Sequence, residues 1–280
     1  MELTLGITFA VLGAALCHAS WNAMVKSGGE PLLNMALVTL GGSLVGTVIA
    51  IGAAVAPPAP AAWPYIVAST VIHLGYYLTV AAAYKAGDLS HGYPIMRGTA
   101  PLLTALGTWL FLGESVSAGA AMGIVLICGG VLSLSLVGGG ASRAATTWAL
   151  LNALIIALYT LADGAGVRAS GDAWSYVVWL FVIHGLPFSL GVLAVKRGVF
   201  LRHARKNWVR GAAGALLSGA SYGIALWAMT RAPVAIIAAL RETSVIFGAL
   251  IGAWFLKEGH LRARLTGAFT VLLGLIALKL

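Results

Sequence analysis

Apolar residues in this chain run on continuously instead of alternating with polar ones. Ten such stretches follow one another, at about 3–25, 31–55, 63–84, 89–112, 116–137, 147–168, 174–195, 208–230, 233–256 and 262–279. Each is near the ~20 residues that an α-helix needs to cross ~30 Å of hydrocarbon. The breaks between them are short and built of turn formers: Ser27-Gly28-Gly29, Pro57-Pro58-Ala59-Pro60, Gly138-Gly139-Gly140 and Ser170-Gly171-Asp172. Links this short leave no room for a soluble domain. Lipid offers no hydrogen bonds, so each stretch must satisfy its own backbone, which a helix does. A β-barrel would need short alternating strands. The pattern predicts an all-α integral membrane protein with ten transmembrane helices.

The pattern also repeats. Gly92 to Glu114 has a second copy in Ile236 to Glu258, with Arg97 matched to Arg241 and Glu114 to Glu258, both 144 positions apart. Lys26-Ser27-Gly28-Gly29-Glu30 answers Arg168-Ala169-Ser170-Gly171-Asp172 at an offset of 142. His73, Tyr76 and Tyr77 fall on Ser218, Ser221 and Tyr222 at 145, and Gly123 and Gly130 on Gly267 and Gly274 at 144. The halves are residues 1–138 and 146–280, each with five stretches. An odd number of crossings reverses direction, so the two repeats are expected to be inverted. Many secondary transporters are built this way, with the substrate near midplane between the repeats.

Composition narrows the class further. Of 280 residues, 60% are hydrophobic and 9% charged, which excludes an ordinary soluble domain. The net charge is +9. Its cations sit mostly in the connections, a distribution that suits anionic lipid headgroups and not nucleic acid. Lys and Arg divide 12 to 3 between the two sides, the richer side holding the 196–210 connection. The positive-inside rule then places that connection in the cytoplasm and both termini outside, across a cell (inner) membrane. Cys17 and Cys128 lie within apolar runs and form neither a metal spacing nor a disulfide framework. Met1-Glu2-Leu3 lacks the positive start of a signal peptide, so the first stretch is expected to be retained. Gly138-Gly139-Gly140 lacks the Lys-Ser/Thr of a P-loop, so no nucleotide or other cofactor is expected.

Polar residues inside the stretches are the candidate chemistry. A charge at membrane depth costs a few kcal/mol or more and marks a functional site by default. Arg97 and Arg241 are such charges, and Arg97 offers a rigid fork suited to a carboxylate or phosphate. Pro101, four residues on, removes the bond to the carbonyl of residue 97 and is expected to kink that helix. His18, Trp21 and Asn22 stand at i, i+3, i+4 on one face, as do His73, Tyr76 and Tyr77. Ser218, Ser221 and Tyr222 occupy the matching places of the second half. Tyr159 and Asp163 are at i, i+4, and Asp163 is suited to a substrate ammonium, a proton or a pair with Arg97. Glu242 adjoins Arg241, ~100° round the helix. Glu114 and Glu258 close their stretches and read as structural, while Trp63, Tyr65, Trp148, Trp174 and Trp208 read as an interfacial belt. Gly119-x-x-x-Gly123 and Gly248-x-x-x-Gly252 permit close helix contact within a bundle or between protomers, so monomer and homo-oligomer both stay open.

Two five-helix repeats with Leu-x-Glu after the fourth helix of each resemble the EamA family of the drug/metabolite transporter superfamily. His18-Ala19-Ser20-Trp21-Asn22 resembles the small-residue-Trp-Asn signature of that family, although Asp163-Gly164 replaces Trp21-Asn22 in the second half. The resemblance covers nearly the whole chain. It implies carrier activity on small metabolites, often export of amino acids, as in YddG-like exporters. The residues agree: an apolar, aromatic wall with a few opposed charges suits a neutral amino acid, including the larger apolar and aromatic ones. Drugs, or a sugar or nucleotide derivative, are the alternative cargo. A channel would need a filter or charged ring. An intramembrane enzyme would need a nucleophile with its base or a metal cluster, and His18, His73, His91 and His184 stand on separate stretches without one.

Orientation is directly testable. A cysteine placed near residue 203 is expected to resist an impermeant thiol reagent in intact cells; strong labelling there reverses the assignment.

Overall fold

The computed structural model describes residues 3–27, 30–86, 89–136, 142–248 and 261–278. All their regular structure is helical: α1 Leu5–Ser27, α2 Pro31–Gly52, α3 Trp63–Ala86, α4 Leu89–Leu112, α5 Ala118–Ser133, α6 Arg143–Ala169, α7 Ala173–His184, α8 Leu186–Met229, α9 Val234–Arg241 and α10 Leu261–Ala277. Helix starts follow local chemistry. Pro31 opens α2, where its missing N–H costs nothing. Ser117 and Ser142 cap α5 and α6 by accepting from Ala120 N and Ala145 N, and Asp172 caps α7 through Trp174 N and Ser175 N.

The helices present their apolar residues outward and their polar residues inward, the reverse of a soluble protein. On α3, Val71 and Leu78 are exposed while His73 is buried; on α6, Leu150, Leu154 and Leu158 face out while Asn152 and Asp163 are wholly buried. Hydrocarbon cannot hydrogen-bond, so only the bundle interior can hold those groups.

Packing recurs in pairs. Helix α1 packs on α8 and α3 on α6; α2 on α8 and α3 on α7; α4 on α6 and α1 on α9; while α2 meets α7, α4 meets α9 and α5 meets α10. Exchanging each helix for the one five places away reproduces every one of these contacts. At the α5–α10 crossing, a Cβ on Gly123 would lie 2.8 Å from Gly274 O, and one on Gly130 would lie 2.9 Å from Gly267 O. The first glycine of each helix meets the second of the other, so α5 and α10 run antiparallel.

Several expected spans differ. By length and composition, six stretches among the described residues are able to cross a membrane: Leu5–Val25, Pro31–Gly52, His91–Leu112, Ala118–Leu136, Arg143–Ala169 and Ala173–Met229. Ten spans are not reached by that measure. The seventh stretch, expected whole over 174–195, breaks at Gly185, where a side chain would strike Thr39 O and lie 2.7 Å from Ser43 Oγ of α2. Helix α8 leaves helical backbone at Lys196 and at Asn207. At 44 residues it would reach about 66 Å if straight, so these are the points where it turns. The ninth stretch, expected over 233–256, stops at Arg241; backbone at 242–243 is a turn, and helix resumes at 244–248. Glu258 and Gly252 lie outside the described residues. Of the expected belt, Tyr65, Trp148, Trp174 and Trp208 are exposed, but Trp63 is half-buried edge-on to Trp179, with ring centroids 5.9 Å apart.

Adjacent glycines separate packing from propensity. Gly130→Ala should destabilise the protein by about 1–3 kcal/mol through overpacking. Gly129→Ala, whose Cβ meets nothing within 4 Å, should be neutral or slightly stabilising. Thermal unfolding in detergent compares them; equal midpoints would refute the close crossing.

Candidate functional site

Helices α4 and α9 bring opposite charges together at the centre. Arg97 Nε lies 2.9 Å from Glu242 Oε2, and both residues are over nine-tenths buried. The Nε–H is not aimed at the carboxylate, so the contact is Coulombic and not a hydrogen bond. Among the described residues, Nε and Nη2 of Arg97 and Oε2 of Glu242 have no hydrogen-bond partner. Nearby, Ser221 Oγ and Ser244 Oγ are likewise buried without partners. Such groups are expensive in a protein interior unless they find a partner.

The backbone is shaped for this meeting. Across residues 239–246 the hydrogen bonds run three residues back: Glu242 N to Ala239 O, Thr243 N to Leu240 O and Val245 N to Glu242 O. Helix α9 thus tightens into 3-10 turns at the charged pair, a change that often marks a hinge. Helix α4 continues from Leu89 to Leu112 through Pro94 and Pro101. Pro101 has no N–H, so the carbonyl of Arg97 loses its intrahelical donor.

Arg241 lies elsewhere around the turn, with its guanidinium 5.0 Å from the Tyr222 ring centroid. Both guanidiniums act electrostatically on Glu242 and on His18. The offset that matches Arg97 to Arg241 matches Glu242 to Gly98. The repeat therefore supplies an arginine in each half but a carboxylate next to it in the second half alone.

Asp163 is held apart. It is fully buried and accepts from Ser69 Oγ at 2.8 Å, from Tyr176 OH at 2.9 Å and from Tyr222 OH. The expected pair with Arg97 is absent: Arg97 meets Glu242, and the Asp163 carboxylate is filled by three hydroxyls. Tyr222 joins the two groups, since its hydroxyl reaches Asp163 while its ring lies under Arg241.

An aromatic cluster surrounds them. His73 stacks on Tyr159 with ring centroids 4.2 Å apart and meets His184 edge-on at 5.1 Å. Tyr76 lies edge-on to Tyr159 and Tyr77, and Tyr77 stacks on Phe188. Asn152 donates to Tyr76 O and Thr79 Oγ1, fixing α6 to α3.

The structure gathers His73, Tyr76, Tyr77, Tyr159, Asp163, Tyr222, Arg97, Arg241 and Glu242 in one interior. On α1, His18 sits within reach of both guanidiniums and meets Trp21 edge-on with ring centroids 5.3 Å apart; Trp21 also packs with Val25 and Val38, and Asn22 donates to His18 O within its own helix. Ser218 is half-buried on α8. Ser69, Tyr176, His184 and Phe188 were not anticipated. Ser69 was within reach, being four residues before His73 on the same face. Tyr176 enters from α7, and His184 and Phe188 stand on either side of Gly185; spacing within one helix does not show that these reach the cluster.

At one end of the bundle, Glu114 pairs with Arg168 and accepts from Val234 N at 3.0 Å, at the start of α9. Arg168 also donates to Met229 O and Ala232 O. A carboxylate at a helix N-terminus is favourable, and this one ties α4, α6 and α9 together. Among the described residues, no three of His, Cys, Asp and Glu come together as a metal site would require.

Two comparisons place this geometry. Residues 4–136 and 143–280 each match the EamA-like transporter family. A crystal structure of a protein is similar over 97% of this chain and 94% of its own, at 17% identity and a TM-score of 0.75. At that identity the likeness shows the fold alone. No curated protein matches the chain.

The Asp163 cage predicts a graded series. Asp163→Ala leaves the buried Tyr176 hydroxyl without its acceptor, at roughly 1–3 kcal/mol, takes one from Tyr222 as well, and should lower the unfolding midpoint. Asp163→Asn keeps an acceptor and should cost less. An unchanged midpoint in Asp163→Ala would refute a structural role for this carboxylate.

Proposed function

The chain belongs to the EamA-like transporter family and is a multi-pass membrane transporter; from this premise we propose that it is a secondary carrier exporting or exchanging neutral amino acids, including the larger apolar and aromatic ones. The observation that carries this reading is how the interior charges are engaged: Asp163 is committed to three hydroxyls, so Glu242 is the carboxylate that faces both Arg97 and Arg241, and Arg97 keeps unused donors. A ligand carboxylate supplies the second anion and accepts from the Arg97 fork, which is built for bidentate recognition. Its ammonium is met by Glu242 as that carboxylate leaves Arg97. Its apolar body lies among Tyr76, Tyr159 and Tyr222, in keeping with sites that combine apolar walls and few polar groups. A lipophilic cation would be repelled by the two guanidiniums.

The carrier framework we propose is ten spans in two inverted repeats, residues 1–138 and 146–280, in the cell (inner) membrane with both termini outside. The antiparallel α5–α10 glycine pairs and the recurring helix contacts support the inversion. In such frameworks one repeat rocks against the other around a fixed central site. Exchange of Glu242 for a substrate carboxylate on Arg97, beside a 3-10 hinge, gives that motion a chemical trigger.

Arg97→Ala should abolish leucine and phenylalanine transport in proteoliposomes, and Arg97→Lys should restore only part, because an ammonium lacks the planar fork. Removing one partner of a buried pair costs about 3–5 kcal/mol, so Arg97→Ala combined with Glu242→Gln serves as the folding control. Transport at the parent rate in purified Arg97→Ala would make Arg97 structural and remove the main support for this substrate.

A further inference from the structure

The segment between the two turns of α8 is a short helix with two unlike faces. Phe200 is buried, and His203, Ala204 and Asn207 are half-buried, at i, i+3, i+4 and i+7. This stripe is the protein-facing side. Phe200 packs with Leu33 and Ala36 of α2, and His203 Nε2 meets Asn34 Oδ1 at 2.8 Å. The opposite side exposes Arg202, Arg205 and Lys206, which also stand at i, i+3, i+4 and so form one cationic patch. Leu201 and Val199 are exposed beside them, 51% and 47%.

Among the described residues no carboxylate pairs with this patch. From residue 173 to residue 241 there is no Asp or Glu. The ion pairs among the described residues are made by Arg97 and Arg168. A helix carrying forked cations and adjoining apolar side chains, at the end of two membrane-crossing segments, lies at the headgroup level. Anionic lipid headgroups are the complementary partner there, each nearby Lys or Arg adding to the attraction.

We propose that residues 197–206 form a binding site for anionic phospholipid, with Arg202, Arg205 and Lys206 holding the headgroup phosphate and Val199 and Leu201 meeting the acyl chains. The inner stripe gives this binding a structural consequence. Asn34, held by His203, also donates through Nδ2 to Val25 O at 2.9 Å. A lipid that orders the basic helix therefore also braces the corner between α1 and α2. The proposal is independent of which substrate the carrier moves.

The test uses the full-length protein, purified and equilibrated with equal phosphatidylglycerol and phosphatidylcholine, and reads retained lipid by native mass spectrometry. The parent protein should retain phosphatidylglycerol at least about ten-fold over phosphatidylcholine. The triple variant Arg202→Gln, Arg205→Gln, Lys206→Gln should lose that preference, and Arg231→Gln, exposed on a different connection, should keep it. A second measurement needs no variant: added phosphatidylglycerol should raise the parent's unfolding midpoint, and salt near 1 M, which shortens the screening length to about 3 Å, should remove the rise. Equal retention of the two lipids by the parent, an unchanged preference in the triple variant, or a midpoint shift indifferent to salt would each overturn the proposal.

Discussion

A bilayer interior gives a buried charge nothing to bond to, and the fold is arranged around that constraint. Two guanidiniums and two carboxyls lie deep among helices whose outer faces are apolar, and each is answered from inside. Asp163 takes three hydroxyls. Arg241 takes the face of Tyr222. Arg97 and Glu242 take each other, incompletely, and that incompleteness distinguishes them. A fully bonded cage such as that of Asp163 rigidifies α3, α6, α7 and α8. A Coulombic pair with unused donors, set where α9 changes its winding, is the part of the interior able to exchange partners.

The two halves are not chemically equal. Arg97 and Arg241 correspond by position, but Glu242 corresponds to Gly98, which packs so tightly that a Cβ there would lie 2.6 Å from Leu132 Cγ and 3.0 Å from Cys128 O. No carboxylate fits at that place. Close helix packing in one half thus leaves Arg97 without a neighbouring carboxylate in its own helix, and with Asp163 committed to hydroxyls this favours an anionic group on the proposed ligand.

Much of this was legible in the sequence, for a physical reason. Arg97 and Arg241 stand out because a charge in twenty apolar residues is costly, and the repeat doubles the signal. The His73–Tyr76–Tyr77 face was legible from helical spacing alone. Partner choice was not. Whether Asp163 meets Arg97 or a ring of hydroxyls depends on how α6 crosses α3 and α7, and spacing within one helix says nothing of that. The breaks at Gly185 and at Glu242–Thr243 were hidden for another reason. The apolar stretches run on beyond both, and Pro187 and the polar run Arg241-Glu242-Thr243-Ser244 mark the places without showing what the backbone does there; the close approach of α2 to α7 and the hydrogen bonds of residues 239–246 reveal that.

The central claim is that a ligand carboxylate completes the charge at Arg97. It is tested most directly by counterflow in proteoliposomes loaded with unlabelled leucine, with labelled leucine outside and either leucine or leucinamide added as competitor. Leucinamide keeps the side chain and the amine but has no carboxylate. Leucine should suppress the transient accumulation of label while leucinamide at the same concentration leaves it nearly unchanged. Equal suppression by the two would show that the carboxylate is not read, and would contradict the exchange of partners between Arg97 and Glu242.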